Sequence, residues 1–263
     1  MQMASGPDKS DNIRRAARLV ERALDEGAQL VALPETFDYR GDDIELDAIA
    51  EPLPGSALSP LQRLAYERNA WILAGSVHER NPGGRPYNTS VLIGTDGDII
   101  AAYRKIHLFD ITIDDRSISE SMKYSAGSEV VLAYAAGIRM GLSICYDLRF
   151  PELYREMSAS GVDLIFVPSS FTELTGAAHW EVLVRARAIE NLSFVVAPGQ
   201  SGIGAGGIPT YGNSMLVDPW GRVLARASGE ENTVVLANLD FGLLAQARKQ
   251  LPVLHNRKLP PIR

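Results

Sequence analysis

The chain has 263 residues, 46% hydrophobic, 22% charged and 7% aromatic, an ordinary globular composition with enough apolar material for one large core or two small ones. Its 26 Lys+Arg against 32 Asp+Glu leave a formal charge of -6, which argues against a phosphate-neutralising surface, so nucleic acid is not an expected partner. The single cysteine, Cys145, excludes an internal disulfide; with four histidines (His78, His107, His179, His255), none at ligand spacing, neither a metal site nor a cofactor is expected.

No charged-then-apolar leader opens the chain and no run approaches the roughly 18 apolar residues of a spanning helix, so a reducing, cytoplasmic setting away from membranes is expected. Residues 10–27 place Ile13, Ala16, Ala17, Val20, Ala23 and Leu24 on one helical face, with Ser10 as N-cap and Gly27 just past the end. A short apolar run, Leu30 to Leu33, follows and stops at Pro34, as a strand buried on both faces would. Residues 59–69 read as a helix opened by Ser-Pro and 71–77 as a strand, while 90–93 and 99–105 read as strands around the Thr95-Asp96-Gly97 turn.

Further strands are predicted over 139–145, 163–167, 194–197, 214–217 and 233–239, with helices over 151–160 and 179–191. The Trp180, Leu183, Val184, Ala188 stripe of the last helix reads as core packing or dimer surface, not a cofactor site. Helices alternate with buried strands early and in the middle, and hairpins occupy the 90s and the region after Ser214. The expected fold class is therefore α/β, a mixed sheet layered with helices, and the number of strands suggests two stacked sheets. With no repeat, low-complexity tract or long linker, residues 1–263 read as one domain.

Three polar residues stand at the C-terminal ends of apolar strand runs: Glu35, Lys105 and Cys145. Sites in layered α/β folds form outside the carboxyl ends of strands, so carboxylate, ammonium and thiol can meet there although they are far apart in sequence. A thiol becomes a good nucleophile once a base takes its proton, and a lysine can steady both the thiolate and a developing oxyanion. Backbone N–H groups in the turn after Cys145 can add to an oxyanion hole.

Three segments carry a family resemblance: Leu33-Pro34-Glu35-Thr36-Phe37, Tyr103-Arg104-Lys105-Ile106-His107-Leu108-Phe109-Asp110, and Gly141-Leu142-Ser143-Ile144-Cys145-Tyr146-Asp147-Leu148-Arg149-Phe150-Pro151-Glu152. They resemble the signature blocks of the nitrilase superfamily of carbon–nitrogen hydrolases. The resemblance continues through residues 179–191 and 211–221, most like the Nit branch of amidases. It implies a four-layer-forming α-β-β-α sandwich that pairs across a helical face into an α-β-β-α-α-β-β-α homodimer or a higher homo-oligomer. It further implies a Glu-Lys-Cys triad on Glu35, Lys105 and Cys145 and a second glutamate, which maps best to Glu120, with Glu129 nearby.

The implied chemistry is attack of the Cys145 thiolate on an amide carbonyl, with Lys105 and the Tyr146 N–H at the oxyanion, then hydrolysis of a thioester by water activated through Glu35. Tyr146, Phe171 and Thr172 are assigned to substrate contact, and the expected partner is a small linear amide that bears a carboxylate. An N-carbamoyl-amide hydrolase or a nitrilase on the same triad is the alternative chemistry; a non-catalytic dimeric scaffold is the alternative of another class.

His107 and His179 are weighed as bases for the thiol and set aside, His107 for its side of the strand and His179 as a helix-opening residue. Asp147, Arg149 and Glu152 are weighed as a site for a substrate carboxylate and read instead as an ion-pair network bracing the turn after Cys145. Residues 199–207, rich in glycine, lack the lysine of a phosphate loop and read as a loop near the pocket. Relatives of the Nit branch carry a His and an Arg where this chain has the region of Gly204, Ile208 and Asn213. The family's first strand ends in a sequence like the Gln2-Met3 found at the start of this chain, so that strand is expected to be shortened or missing.

Overall fold

The computed structural model describes residues 1–41, 46–113, 116–204, 207–229 and 231–259. Helix α1 (Lys9–Asp25) buries Ala16, Leu19, Val20, Ala23 and Leu24. Its N-cap is Asp8 rather than Ser10: the Asp8 carboxylate accepts from the Asp11 N–H at 2.9 Å, an anionic cap at the positive helix end. Gly27, at φ +94, ends it as expected. Strand β1 (Leu30–Ala32), a short helix α2 (Leu46–Ile49) and α3 (Ser59–Arg68) follow.

The strand expected over 71–77 is two, β2 (Trp71–Leu73) and β3 (Val77–Glu79). Gly75 breaks it by adopting φ +47, and a Cβ there would overlap the Pro34 carbonyl. β4 (Tyr87–Ile93) and β5 (Ile99–Arg104) form the expected hairpin, with Ile93 opposite Ile99. In this first sheet β1 runs parallel to β2, and β4 pairs with β2, β3 and β5. A two-stranded hairpin, β6 (Asp110–Ile113) and β7 (Arg116–Ser119), stands apart from both sheets.

The second sheet holds β8 (Val131–Ala135), β9 (Ile138–Leu142), β10 (Leu164–Phe166), β11 (Phe194–Ala197), β12 (Met215–Val217) and β13 (Val223–Arg226), paired in the order β13-β12-β11-β10-β9-β8. β9, β10 and β11 are parallel, and the outer strands antiparallel. Helix α4 (Pro151–Ala159) joins β9 to β10, and α5 (Glu173–Asn191) joins β10 to β11. α5 starts six residues before the expected 179, so His179 lies within it. The strand predicted over 233–239 does not form: Thr233 bridges to Gln2, and the residues after it pair with no strand among the described residues. Instead they line a cavity of about 770 Å³ with Met1, β1 and the feet of the second sheet. The last helix, α6 (Phe241–Gln250), had no strong sequence signal beyond Asp240, whose carboxylate caps it by accepting from the N–H groups of Gly242 and Leu243.

Alternation along the strands sets the layers. Val31, Ile72, Val91 and Ile93 pack against α1 and α3, whereas Ala32, Leu73 and Leu92 face the second sheet. Trp180, Val184 and Ala188 of α5 cover that sheet's other side. The order is thus α-β-β-α, as the resemblance implied.

Candidate active site

Four chain crossings converge at the carboxyl ends of the strands. Glu35 follows β1 by three residues, in a turn where Thr36 takes φ +48 and its N–H donates to Ser76 Oγ at 2.8 Å. Lys105 directly follows β5, and its N–H donates to the Asn88 carbonyl at 2.9 Å, so the β4–β5 ladder aims the side chain inward. Cys145 lies beyond β9 at the start of a 3-10 helix (Cys145–Arg149), with φ +47 and its N–H donating to the Pro168 carbonyl at 2.9 Å. A left-handed conformation costs a residue with a side chain about 1–2 kcal/mol, and it lets the thiol leave the strand line sharply. Glu120 opens a 3-10 turn after β7, and its Oε2 accepts from the Phe109 N–H at 2.6 Å.

The Lys105 ammonium joins the carboxylates: 2.9 Å from Glu35 Oε1, and 2.9 and 2.7 Å from the two oxygens of Glu120. Glu35 is held on its other sides by Asn88 Nδ2 at 2.9 Å and by the Ser170 N–H, which donates to Oε2 at 2.7 Å. All of these side chains and the Cys145 thiol line one cavity of about 170 Å³, except Asn88, which backs Glu35.

Electrostatics follow from burial. Desolvation works against the Lys105 charge, yet Glu120 and Glu35 outweigh it and hold the ammonium well above its ordinary range. Burial pushes Glu120 up despite the opposing pull of Lys105. The Cys145 thiol is also pushed up, first by burial and then by the Glu35 charge, with Lys105 pulling the other way. At rest the thiol therefore keeps its proton, beside a carboxylate that can accept it and an ammonium that favours the thiolate.

Of the residues assigned to substrate contact, Thr172 lines the cavity. Tyr146 packs edge-on against Phe109 and Phe150, and Phe171 is buried on Trp180 at 5.1 Å; neither side chain is among those lining the cavity. Glu129 is exposed and lies near Arg104, away from the site. His107 is tied to Asp147 at 2.7 Å and stacked on Phe150, and His179 meets Arg149 at 3.2 Å. The expected Asp147–Arg149–Glu152 network is not what braces the turn. Asp147, fully buried, accepts from the Tyr103 hydroxyl (2.7 Å), the His107 N–H (3.1 Å) and the Ile144 N–H (2.8 Å) and pairs with the His107 ring, while Arg149 lies over the Phe171 ring. Gly204 of the glycine-rich loop borders the cavity; Ala205 and Gly206 lie outside the described residues.

Residues 1–249 match the carbon–nitrogen hydrolase family. The chain is 40% identical over 262 residues to deaminated glutathione amidase of Synechocystis sp., covering 98% of this chain and 96% of that protein. The chain belongs to the carbon–nitrogen hydrolase family. It is also 37% identical over 259 residues to omega-amidase NIT2 of Xenopus tropicalis, covering 98% of this chain and 93% of the relative. The crystal structure of the C. elegans NitFhit protein superposes with a TM-score of 0.92 at 38% identity over 98% of this chain; this chain spans 63% of NitFhit, less than two thirds. As a carbon–nitrogen hydrolase, the chain is an enzyme acting on carbon–nitrogen bonds other than peptide bonds.

Several residues that shape the hydrolase site escaped the sequence reading. Ser170 acts through its N–H, which no side-chain letter encodes. Asn88 carries a signal, since Asn88, Thr89 and Ser90 are a polar run near the head of an otherwise apolar strand, but the apolar pattern alone starts that strand at Ser90. Gln200 donates to the Glu35 main-chain carbonyl at 2.9 Å, and Asp38 pairs with His78 at 2.9 Å beside the cavity; these come from separate loops and carry no local pattern. Among the described residues no helix is long and apolar enough to cross a membrane, and no group of three or more His, Cys, Asp and Glu is arranged to hold a metal ion.

Proposed function

We propose that the chain is a thiol-dependent amidohydrolase that releases ammonia from a small linear amide bearing a carboxylate. The observation that carries this reading is the Lys105 ammonium, bonded to both Glu35 and Glu120 in the cavity that Cys145 enters. The names of its relatives, deaminated glutathione amidase and omega-amidase, support the substrate class.

Glu35 takes the Cys145 proton and the thiolate attacks the amide carbonyl carbon. Charge on the carbonyl oxygen is met by the Lys105 ammonium and by the Tyr146 N–H, which lies in the first turn of its 3-10 helix, where backbone donors have no helical partner. The tetrahedral carbon collapses, the C–N bond breaks, and the proton held by Glu35 passes to the leaving nitrogen as ammonia. Glu35 then takes a proton from water, hydroxide adds to the thioester, and the carboxylic acid leaves with the proton returned to Cys145. Glu120 keeps Lys105 charged and aimed throughout. The enzyme is proposed to work in the cytoplasm as a homodimer, and the pairing is supported by Leu174, Val182 and Ile189, which α5 leaves exposed.

Ammonia release from a panel of 2-oxo-acid ω-amides, deaminated glutathione, N-carbamoyl amines and nitriles tests the reaction. Release is expected from the carboxylate-bearing amides and is expected to vanish in Cys145→Ala; undiminished turnover in that variant would refute the mechanism. A stalled acyl adduct on Cys145, detected by mass, is the accompanying positive result.

A further inference from the structure

Arg40 lines the same cavity as Cys145, yet none of the steps above uses it. It stands five residues after Glu35, where its N–H donates to the Gly6 carbonyl at 3.0 Å and fixes the backbone. Its guanidinium meets only neutral oxygens: Nη1 donates to Gln200 Oε1 (3.2 Å) and to the Ser201 carbonyl (3.3 Å), and Nη2 to Thr210 Oγ1 (3.4 Å). These are long for charge-assisted hydrogen bonds. Five N–H groups with three so engaged leave the Nε–H and one Nη2–H without a partner among the described residues. Nε and Nη2 share one edge of the guanidinium, the edge a carboxylate takes with two parallel bonds.

No carboxylate forms an ion pair with Arg40 among the described residues. Burial lowers its pKa to about 10, against the opposing charge of Glu35, so it is a cation at neutral pH that has shed much of its water. The guanidinium lies close against the glycine-rich loop, where a Cβ at Gly204 would push Arg40 Nη2 aside. An anion entering a cavity that already holds Glu35 and Glu120 needs a positive group besides Lys105, which those carboxylates occupy.

We propose that Arg40 is the specificity-determining residue of the site, whose free Nε–Nη2 edge takes the carboxylate of the amide substrate while the amide lies at Cys145. This rests on the amidohydrolase reading above and adds the residue that selects the substrate.

The test measures binding in a Cys145→Ala background, so that it does not depend on turnover. Glutaric acid monoamide and pentanamide match in length and differ by the carboxylate, and calorimetry gives the ratio of their affinities. That ratio is expected to favour the monoamide by about tenfold or more, to fall to about one when Arg40→Gln is added, and to be partly kept by Arg40→Lys, which retains the charge without the fork. An unchanged ratio in Arg40→Gln, an equal loss for both ligands, or binding of neither ligand overturns the proposal. Failure of the native enzyme to release ammonia from any amide refutes the amidohydrolase reading instead, and leaves the affinity ratio readable.

Discussion

Lys105 is 2% exposed and has two carboxylates within 2.9 Å, so its charge survives burial only because both partners are present. Glu120 carries the less stable half of this arrangement, since burial drives its carboxyl above the ordinary range while Lys105 pulls it back. As pH falls, it therefore takes up a proton sooner than an exposed glutamate would, and a neutral Glu120 no longer keeps Lys105 charged and aimed. A kcat/KM profile is expected to fall on its acid side with an apparent pKa above the roughly 4.3 of a free glutamate. Glu120→Gln fixes the neutral form and is expected to lose that limb while running about 100-fold or more below the native enzyme at every pH, which profiles of the two enzymes check. Glu35, Lys105 and Cys145 were legible as single letters because each is a reactive side chain stranded at the end of an apolar run. The Ser170 N–H and the free edge of Arg40 were not, because one is backbone and the other is defined by which bonds its neighbours fail to make.

Elements show a different limit on what pattern reveals. Strand and helix cores were readable from spacing, but ends and breaks were set by contacts distant in sequence: Gly75 interrupts 71–77 because the Pro34 carbonyl passes against it, and α5 starts at Glu173 because the Glu173 N–H donates to the Pro209 carbonyl. Residues 233–239 have strand composition yet, beyond Thr233, no strand beside them among the described residues, and composition supplies no hydrogen-bond partner. The break at Gly75 has a function, since Ser76 next to it accepts the Thr36 N–H and so fixes the turn that carries Glu35. Gly75→Ala is expected to cost at least about 2 kcal/mol, from the left-handed backbone and the overlap with the Pro34 carbonyl, and to lower kcat as Glu35 shifts; urea unfolding with steady-state kinetics measures both. The Cys145 elbow makes the complementary case. Cys145→Gly and Cys145→Ala both lack the nucleophile, but at φ +47 the glycine variant is expected to be more stable than the alanine one by about 1 kcal/mol in the same urea measurement.

The two ends of the second sheet divide function from stability. β9, β10 and β11 are parallel, so their carboxyl ends together deliver Cys145, Ser170 and Gln200 to the site, and their amino ends together meet the other side of the molecule. There Arg248 of α6 pairs with Asp163 at 2.7 Å and donates to the Leu192 carbonyl at 3.2 Å and the Val162 carbonyl at 2.5 Å, while Asp163 also accepts the Arg139 N–H at 2.9 Å. One guanidinium thus ties the last helix to the residues that lead into β10 and β11, and Asp163 extends the tie to Arg139 in β9. The Arg248–Asp163 pair is partly exposed, so solvent screening takes most of its Coulomb energy, and what Arg248→Ala removes is chiefly two main-chain acceptors' partner and the packing of α6. That loss is expected to be about 1–3 kcal/mol, a fall in Tm of roughly 3–10 °C for a chain of this size. Because the parallel strands keep the catalytic groups at the far end, kcat/KM at 25 °C is expected to stay within about twofold of the native value. Thermal unfolding and kinetics on one preparation separate the two effects: a Tm change with kinetics intact supports the division, and a matching loss of kcat/KM would show that α6 reaches the site through the strands.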